Sequence, residues 1–155
     1  PEALYIVTAA PDPHQSDGMK YFRELKQLAK ELGVSKRVRF LGEKTALTDN
    51  DVRSLYHMAD LLFLPSTQEG YGLPLIEGAL HGVPVYCSCI PAHREVAVGA
   101  TFFKLTASTK VLARKIKKDT AVQMRQSQRQ MMARLAWSRI VQEMLEPLLS
   151  GRKAP

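Results

Sequence analysis

Cysteine is scarce in this 155-residue chain, which has only 2, Cys87 and Cys89, at the end of an apolar run. On a strand, residues i and i+2 point the same way, at a separation that suits neither an ordinary disulfide nor a complete zinc set. Free thiols, buried or half-buried, are therefore expected. With no disulfide framework, a reducing cytoplasm is the favoured compartment. Long apolar runs are missing too. A run such as LLFLP (61–65) falls far short of the about 20 residues that cross a bilayer as a helix, and reads as a buried strand. No His, Cys or carboxylate set has metal-site spacing, so no metal is expected. Internal repeats, low-complexity segments and a secretory signal are also lacking. The chain opens on Pro1 and reads as a piece of something longer.

What remains is ordinary globular material, 45% hydrophobic and 24% charged. At this length roughly two-thirds of the unfolded surface is buried on folding, so one domain spanning 1–155 is the expectation. The net charge is +7, with Arg114, Lys115, Lys117, Lys118, Arg125, Arg129, Arg134 and Arg139 crowded into the last third. A basic helical face can hold nucleic acid or anionic lipid, but Trp137 is the one aromatic among these charges and no nucleic-acid motif accompanies them. The expectation is a solvated face and no nucleic acid.

Along the chain, β-rich and helical periods alternate. ALYIVTA (3–9) is almost continuously apolar, as in a parallel strand covered on both faces. Phe22, Leu25, Leu28, Ala29 and Leu32 recur at helical spacing, with Ser16 or Asp17 able to cap the start and Gly33 the end. VRFLG (38–42) gives a second strand. Thr48 and Asp51 form a capping box ahead of Val52, Leu55, Tyr56 and Ala59. LLFLP, VPVYC (83–87) and Ala100–Lys104 supply further strands, and a helix runs near Ser108–Lys118. Pro84 removes a ladder donor and belongs at a strand start or a sheet edge. The tail 120–149 is helical, in two segments. Such alternation means parallel βαβ units, hence an α/β fold, a Rossmann-like three-layer α/β/α sandwich with ligands at the carboxyl ends of its strands.

The most telling stretch is STQEGYGLPLIEGALHGVPV (66–85). Glu69 precedes a turn bracketed by Gly70 and Gly72, and Glu77 lies inside the helix that follows. Glycine lets the backbone take positive φ and lets a ligand come close to its amides. Pro74 suits the first turn of a helix from Leu73 or Pro74 to His81, with Leu75, Ile76, Ala79 and Leu80 facing the core and Gly82 as its cap. Free N–H groups at the helix start make an anion site, able to hold a phosphate or a sugar oxygen.

This window resembles the paired-glutamate signature of the retaining glycosyltransferases of family 4, the group 1 enzymes of the two-domain GT-B fold. VRFLG, DVRSLYHMADLLFLPS (51–66), IPAHREVAVGATFF (90–103) and LAWSRIVQEML (135–145) resemble further blocks of that family's donor domain, in the same order. The resemblance implies the C-terminal nucleotide-sugar-binding half of the enzyme, which moves a hexose from a nucleoside-diphosphate sugar to a hydroxyl. Glu69 would face the anomeric centre as the catalytic carboxylate, either as a nucleophile or as an electrostatic stabiliser. The amides of Gly70, Tyr71, Gly72 and Leu73 would hold sugar hydroxyls and the distal phosphate, and Glu77 the ribose hydroxyls. Phe40, Leu41, Gly42 and Lys44 would lie where the nucleobase is cradled. His93, Arg94 and Glu95 would sit in a turn at the rim, while His57 and His81 read as helix-surface residues.

The same resemblance places an Arg and a Lys for the donor diphosphate, and the whole acceptor domain, upstream of Pro1. The isolated chain is accordingly expected to be inactive. It further implies a membrane-surface or lipid-linked acceptor, and self-association through Trp137, Ile140, Val141, Met144 and Leu148. Two rivals are a sugar-nucleotide epimerase of GT-B architecture and a non-enzymatic α/β binding module.

Overall fold

A computed structural model describes residues 3–9, 16–43, 46–97 and 99–119. The chain divides into two compact units, Pro1–Leu55 and Tyr56–Pro155.

In the first unit, β1 (Tyr5–Val7) pairs in parallel with β2 (Val38–Phe40), Tyr5 opposite Val38 and Val7 opposite Phe40. Between them runs α1 (Ser16–Glu31), whose Phe22 meets Phe40 edge-to-face at 4.9 Å. Gly33 ends the helix at φ 68°, its N–H donating to Lys30 and that of Val34 to Ala29, both at 2.9 Å. This is the Schellman arrangement foreseen for that glycine. The apolar repeat of α1 is only half used: Phe22 and Ala29 are buried, whereas Leu28 and Leu32 are exposed. β1 likewise is not covered on both faces, since Tyr5 is exposed and Ile6 and Val7 are half-buried. Leu41–Glu43 forms a 3₁₀ turn after β2, and α2 (Asp49–Met58) follows. The Thr48 hydroxyl donates to Asp51 Oδ2 at 2.7 Å, and the Asp51 N–H to Thr48 Oγ1 at 3.2 Å. That is the predicted capping box, with aspartate in the place of glutamate.

The second unit is built on a parallel three-stranded sheet, β3 (Leu62–Leu64), β4 (Val85–Ser88) and β5 (Thr101–Phe103), in that order. α3 (Leu73–Leu80) connects β3 to β4, and α4 (Pro91–Val96) connects β4 to β5. Every residue of the central strand β4 is buried. Its side chains alternate, as the strand period requires. Val85 and Cys87 join Leu75 of α3, Val96 and Ala97 in the core, with Leu62, Leu64 and Ile76 packed against them. Phe63 and Phe103 stack at 5.1 Å on the other face, the one shared by Tyr86.

Pro84 falls just before the central strand, so its missing N–H removes no ladder bond there, and its carbonyl accepts the N–H of Leu62 at 2.8 Å. Gly82 closes α3 at φ 73°, with Val83 N–H on the Gly78 carbonyl and Gly82 N–H on that of Ala79. Two expectations are corrected here. Leu80 is 40% exposed rather than core-facing. The stretch after Pro91 is not a turn but a helix: Ile90 is extended, proline takes the first helical turn, and the Arg94 and Ala97 N–H groups bond to Ile90 and His93. α5 (Thr109–Lys118) completes the described residues, entered through Ser108. The predicted helices 120–149, with Trp137 and its apolar neighbours, lie outside them. The fold is thus α/β with parallel pairing, Rossmann-like.

Candidate functional site

At the carboxyl ends of β3 and β4, two serines tie the loops together. Ser88, the last residue of β4, donates its hydroxyl to the Ser66 carbonyl at 2.5 Å, and Ser66 Oγ donates to Glu69 Oε1 at 2.7 Å. Glu69 is half-buried and held at the entrance to the bend, not swinging in solvent. Both groups sit where open parallel sheets bind ligands.

The bend 69–72 leads into α3 through Gly72, at φ 75° and ψ 41°. Gly70 does not share this left-handed conformation; a Cβ there would meet nothing within 4 Å. At Gly72 a Cβ would stand 3.2 Å from Leu75 Cδ1 and 3.5 Å from His93 Cδ2. Glycine is therefore required twice over at Gly72, by conformation and by space, and at Gly70 by neither. No side chain caps the helix start. In its first turn Pro74 has no N–H and Leu75 donates to the Gly72 carbonyl at 2.9 Å, which leaves the Leu73 N–H beside the bend at the positive end of the dipole. Tyr71 and Leu73 are exposed, Tyr71 by 57%.

Glu77 lies in the second turn of α3. Its side chain is exposed, and its Oε2 accepts the phenol hydroxyl of Tyr56 at 3.0 Å. Burial, followed by the hydrogen bond and charge of Glu77, pushes the Tyr56 phenol well above its ordinary range. Tyr56 therefore stays a donor. A carboxylate offers about four lone-pair sites and Tyr56 occupies one, so Glu77 keeps capacity for a pair of hydroxyls. The Tyr56 ring stacks on His81 at 5.3 Å, and His57 meets His81 edge-on at 4.8 Å.

His93 is fully buried rather than at a rim. Its Nδ1 lies 2.8 Å from the Ser88 carbonyl, while Nε2 is buried without a partner among the described residues. Leaving such an atom unsatisfied costs about 1–3 kcal/mol. Arg94 is exposed and sets Nε and Nη2 at 3.1 and 3.0 Å from Cys89 Sγ; Glu95 is exposed.

The nucleobase residues belong to the first unit. Phe40 packs on Phe22, Leu41 is exposed and Gly42 is buried; Lys44 lies outside the described residues. Among those residues no cluster of His, Cys, Asp or Glu could hold a metal ion, and no helix is long and apolar enough to cross a membrane. Sequence reasoning missed Tyr56 as the partner of Glu77 and Ser88 as the tie to Ser66, and placed His93 at the rim where the structure buries it against Gly72. Tyr56 reads as one more apolar position of α2, and nothing in the pattern announces that β4 and α4 carry hydrogen bonds inward.

Residues 17–134 match the family model of the glycosyl transferases group 1. The chain belongs to this family. It is 34% identical over 83 residues to the O-antigen chain mannosyltransferase RfbU of Salmonella typhimurium, a match covering 54% of this chain and 23% of that protein. It is 37% identical over 73 residues to the D-inositol 3-phosphate glycosyltransferase of Salinispora tropica, covering 47% of this chain and 14% of that one. Among solved structures, Anabaena Alr3699/HepE in complex with UDP superposes with a TM-score of 0.75 at 26% identity, over 97% of this chain and 42% of HepE. The chain thus spans less than half the length of each of these relatives.

Proposed function

We propose that this chain is the donor-binding half of a retaining family 4 glycosyltransferase, which moves a hexose from a nucleoside-diphosphate sugar to a hydroxyl acceptor. One observation carries the reading: Glu69 and Glu77, each held by a hydroxyl, flank a bend that enters α3 through left-handed Gly72 with no side-chain cap. An uncapped helix start suits the distal phosphate, and a carboxylate on each side suits sugar hydroxyls. The UDP of the HepE complex supports a nucleotide ligand.

In this mechanism the bond from the anomeric carbon to the diphosphate oxygen breaks, and the acceptor oxygen forms its bond on the same face. The acceptor proton passes to the departing phosphate oxygen. Glu69 stabilises the positive charge that builds on the sugar ring, and Glu77 accepts both ribose hydroxyls. No resident metal takes part. On this reading the reaction runs in the cytoplasm, on a membrane-bound or lipid-linked acceptor.

Titrating the whole protein with UDP-, GDP- and ADP-sugars tests the reading. One of them binds, Glu77→Ala weakens that binding about ten- to hundredfold, as loss of hydrogen bonds to a charged group requires, and Glu69→Gln lowers kcat about 10²- to 10³-fold. Epimerised donor in place of transferred sugar, or no donor binding at all, would overturn it.

A further inference from the structure

The buried nitrogen of His93 points to a role in the bend. All of its recorded partners lie on the other side of the ring: Nδ1 is 2.8 Å from the Ser88 carbonyl and 3.2 Å from Ser88 Oγ, whose own hydrogen goes to the Ser66 carbonyl. A carbonyl only accepts, so Nδ1 carries a hydrogen, and in the tautomer with its one hydrogen there Nε2 presents a bare lone pair. That lone pair has no partner among the described residues, although the ring is fully buried. The ring edge bearing it lies under the bend, since a Cβ on Gly72 would stand 3.5 Å from Cδ2, the carbon bonded to Nε2. Through Ser88 and Ser66 the same ring is joined to Glu69.

We infer that His93 is a positioning residue for the donor: as the bend 69–73 closes on a nucleoside-diphosphate sugar, one of its N–H groups turns inward and donates to Nε2. The unpaired acceptor disfavours the open bend and its pairing favours the closed one, so ligand binding and His93 are coupled. The inference rests on the donor-binding reading of the bend.

Three substitutions separate the ring's functions in the whole protein. His93→Asn keeps an N–H for Ser88 but has nothing at the Nε2 position, His93→Phe fills the volume with neither group, and His93→Gln restores an acceptor near Nε2. The donor KM rises about five- to tenfold in the Asn and Phe variants, the effect of one hydrogen bond, and returns towards wild type in the Gln variant, with acceptor KM unchanged. In ¹⁵N-histidine-labelled protein, to which this chain contributes 4 histidines with His93 among them, the Nε2 resonance absent from His93→Gln moves upfield on saturation with the sugar nucleotide that binds. A Phe variant with wild-type donor KM, or an Nε2 resonance unmoved at saturation, overturns the inference and leaves the donor site standing. A wild-type protein that binds none of UDP-, GDP- or ADP-glucose overturns both.

Discussion

Gly72 and Gly33 both sit in the left-handed region, at φ 75° and 68°, yet they differ in what surrounds them. A Cβ at Gly33 meets nothing within 4 Å, whereas at Gly72 it presses on Leu75 and His93. Gly33→Ala is therefore expected to cost about 1–2 kcal/mol, the left-handed penalty alone. Gly72→Ala is expected to cost more in chemical denaturation and, unlike Gly33→Ala, to weaken donor binding. Equal costs, with donor binding intact, would contradict the two-part account of Gly72. Cys87 sets a second expectation. Burial, and then the neighbouring Cys89, push its thiol from an ordinary 9.0 up to about 12. The folded state thus holds this proton more tightly than the unfolded state, so the contribution to stability is complete below about pH 9 and is lost as the pH rises towards 12. Denaturation midpoints measured from pH 8 to 12 should fall less steeply in Cys87→Ala than in wild type.

At the scale of elements, the hydrophobic period and the punctuation residues placed most of the chain. Gly33 and Gly82 end their helices as anticipated, and the Thr48–Asp51 box opens α2. Thr48→Ala should lower stability by about 1 kcal/mol, read by thermal melting. The hydrogen bonds from the Thr48 side chain and backbone hold the Asp51 carboxyl below its ordinary range, so this cap is present above that range and lost in acid. α4 is illegible in the sequence because six residues opening on proline give too few periods for a helical signal. The burial of Phe22 beside an exposed Leu32 was equally hidden. A stripe of apolar spacing gives a face but not how far the neighbouring strand reaches along it, and β1 and β2 are only three residues each.

For the whole molecule, the family was legible because its signature is local, carried by 66–85 in unbroken order. Glu69, Gly72 and Glu77 fall in one loop and one helix, so sequence distance stands in for spatial distance. The contacts of Tyr56 and His93 join residues 21 and 5 positions apart on different elements, and only folding reveals them. The chain spans 23% of the length of one curated relative and 42% of HepE. Because the matched part is less than half of each relative, we expect the chain expressed alone to transfer no sugar. Normal turnover by the isolated chain would refute this.

α3 is bounded by left-handed glycines at both ends, Gly72 before it and Gly82 after it. Its length is thereby clamped, and each residue advances the helical azimuth by about 100°. Glu77 consequently keeps a fixed phase relative to the bend. A single insertion or deletion between the two acids would aim the second one elsewhere, so the interval matters to the site as much as the acids do.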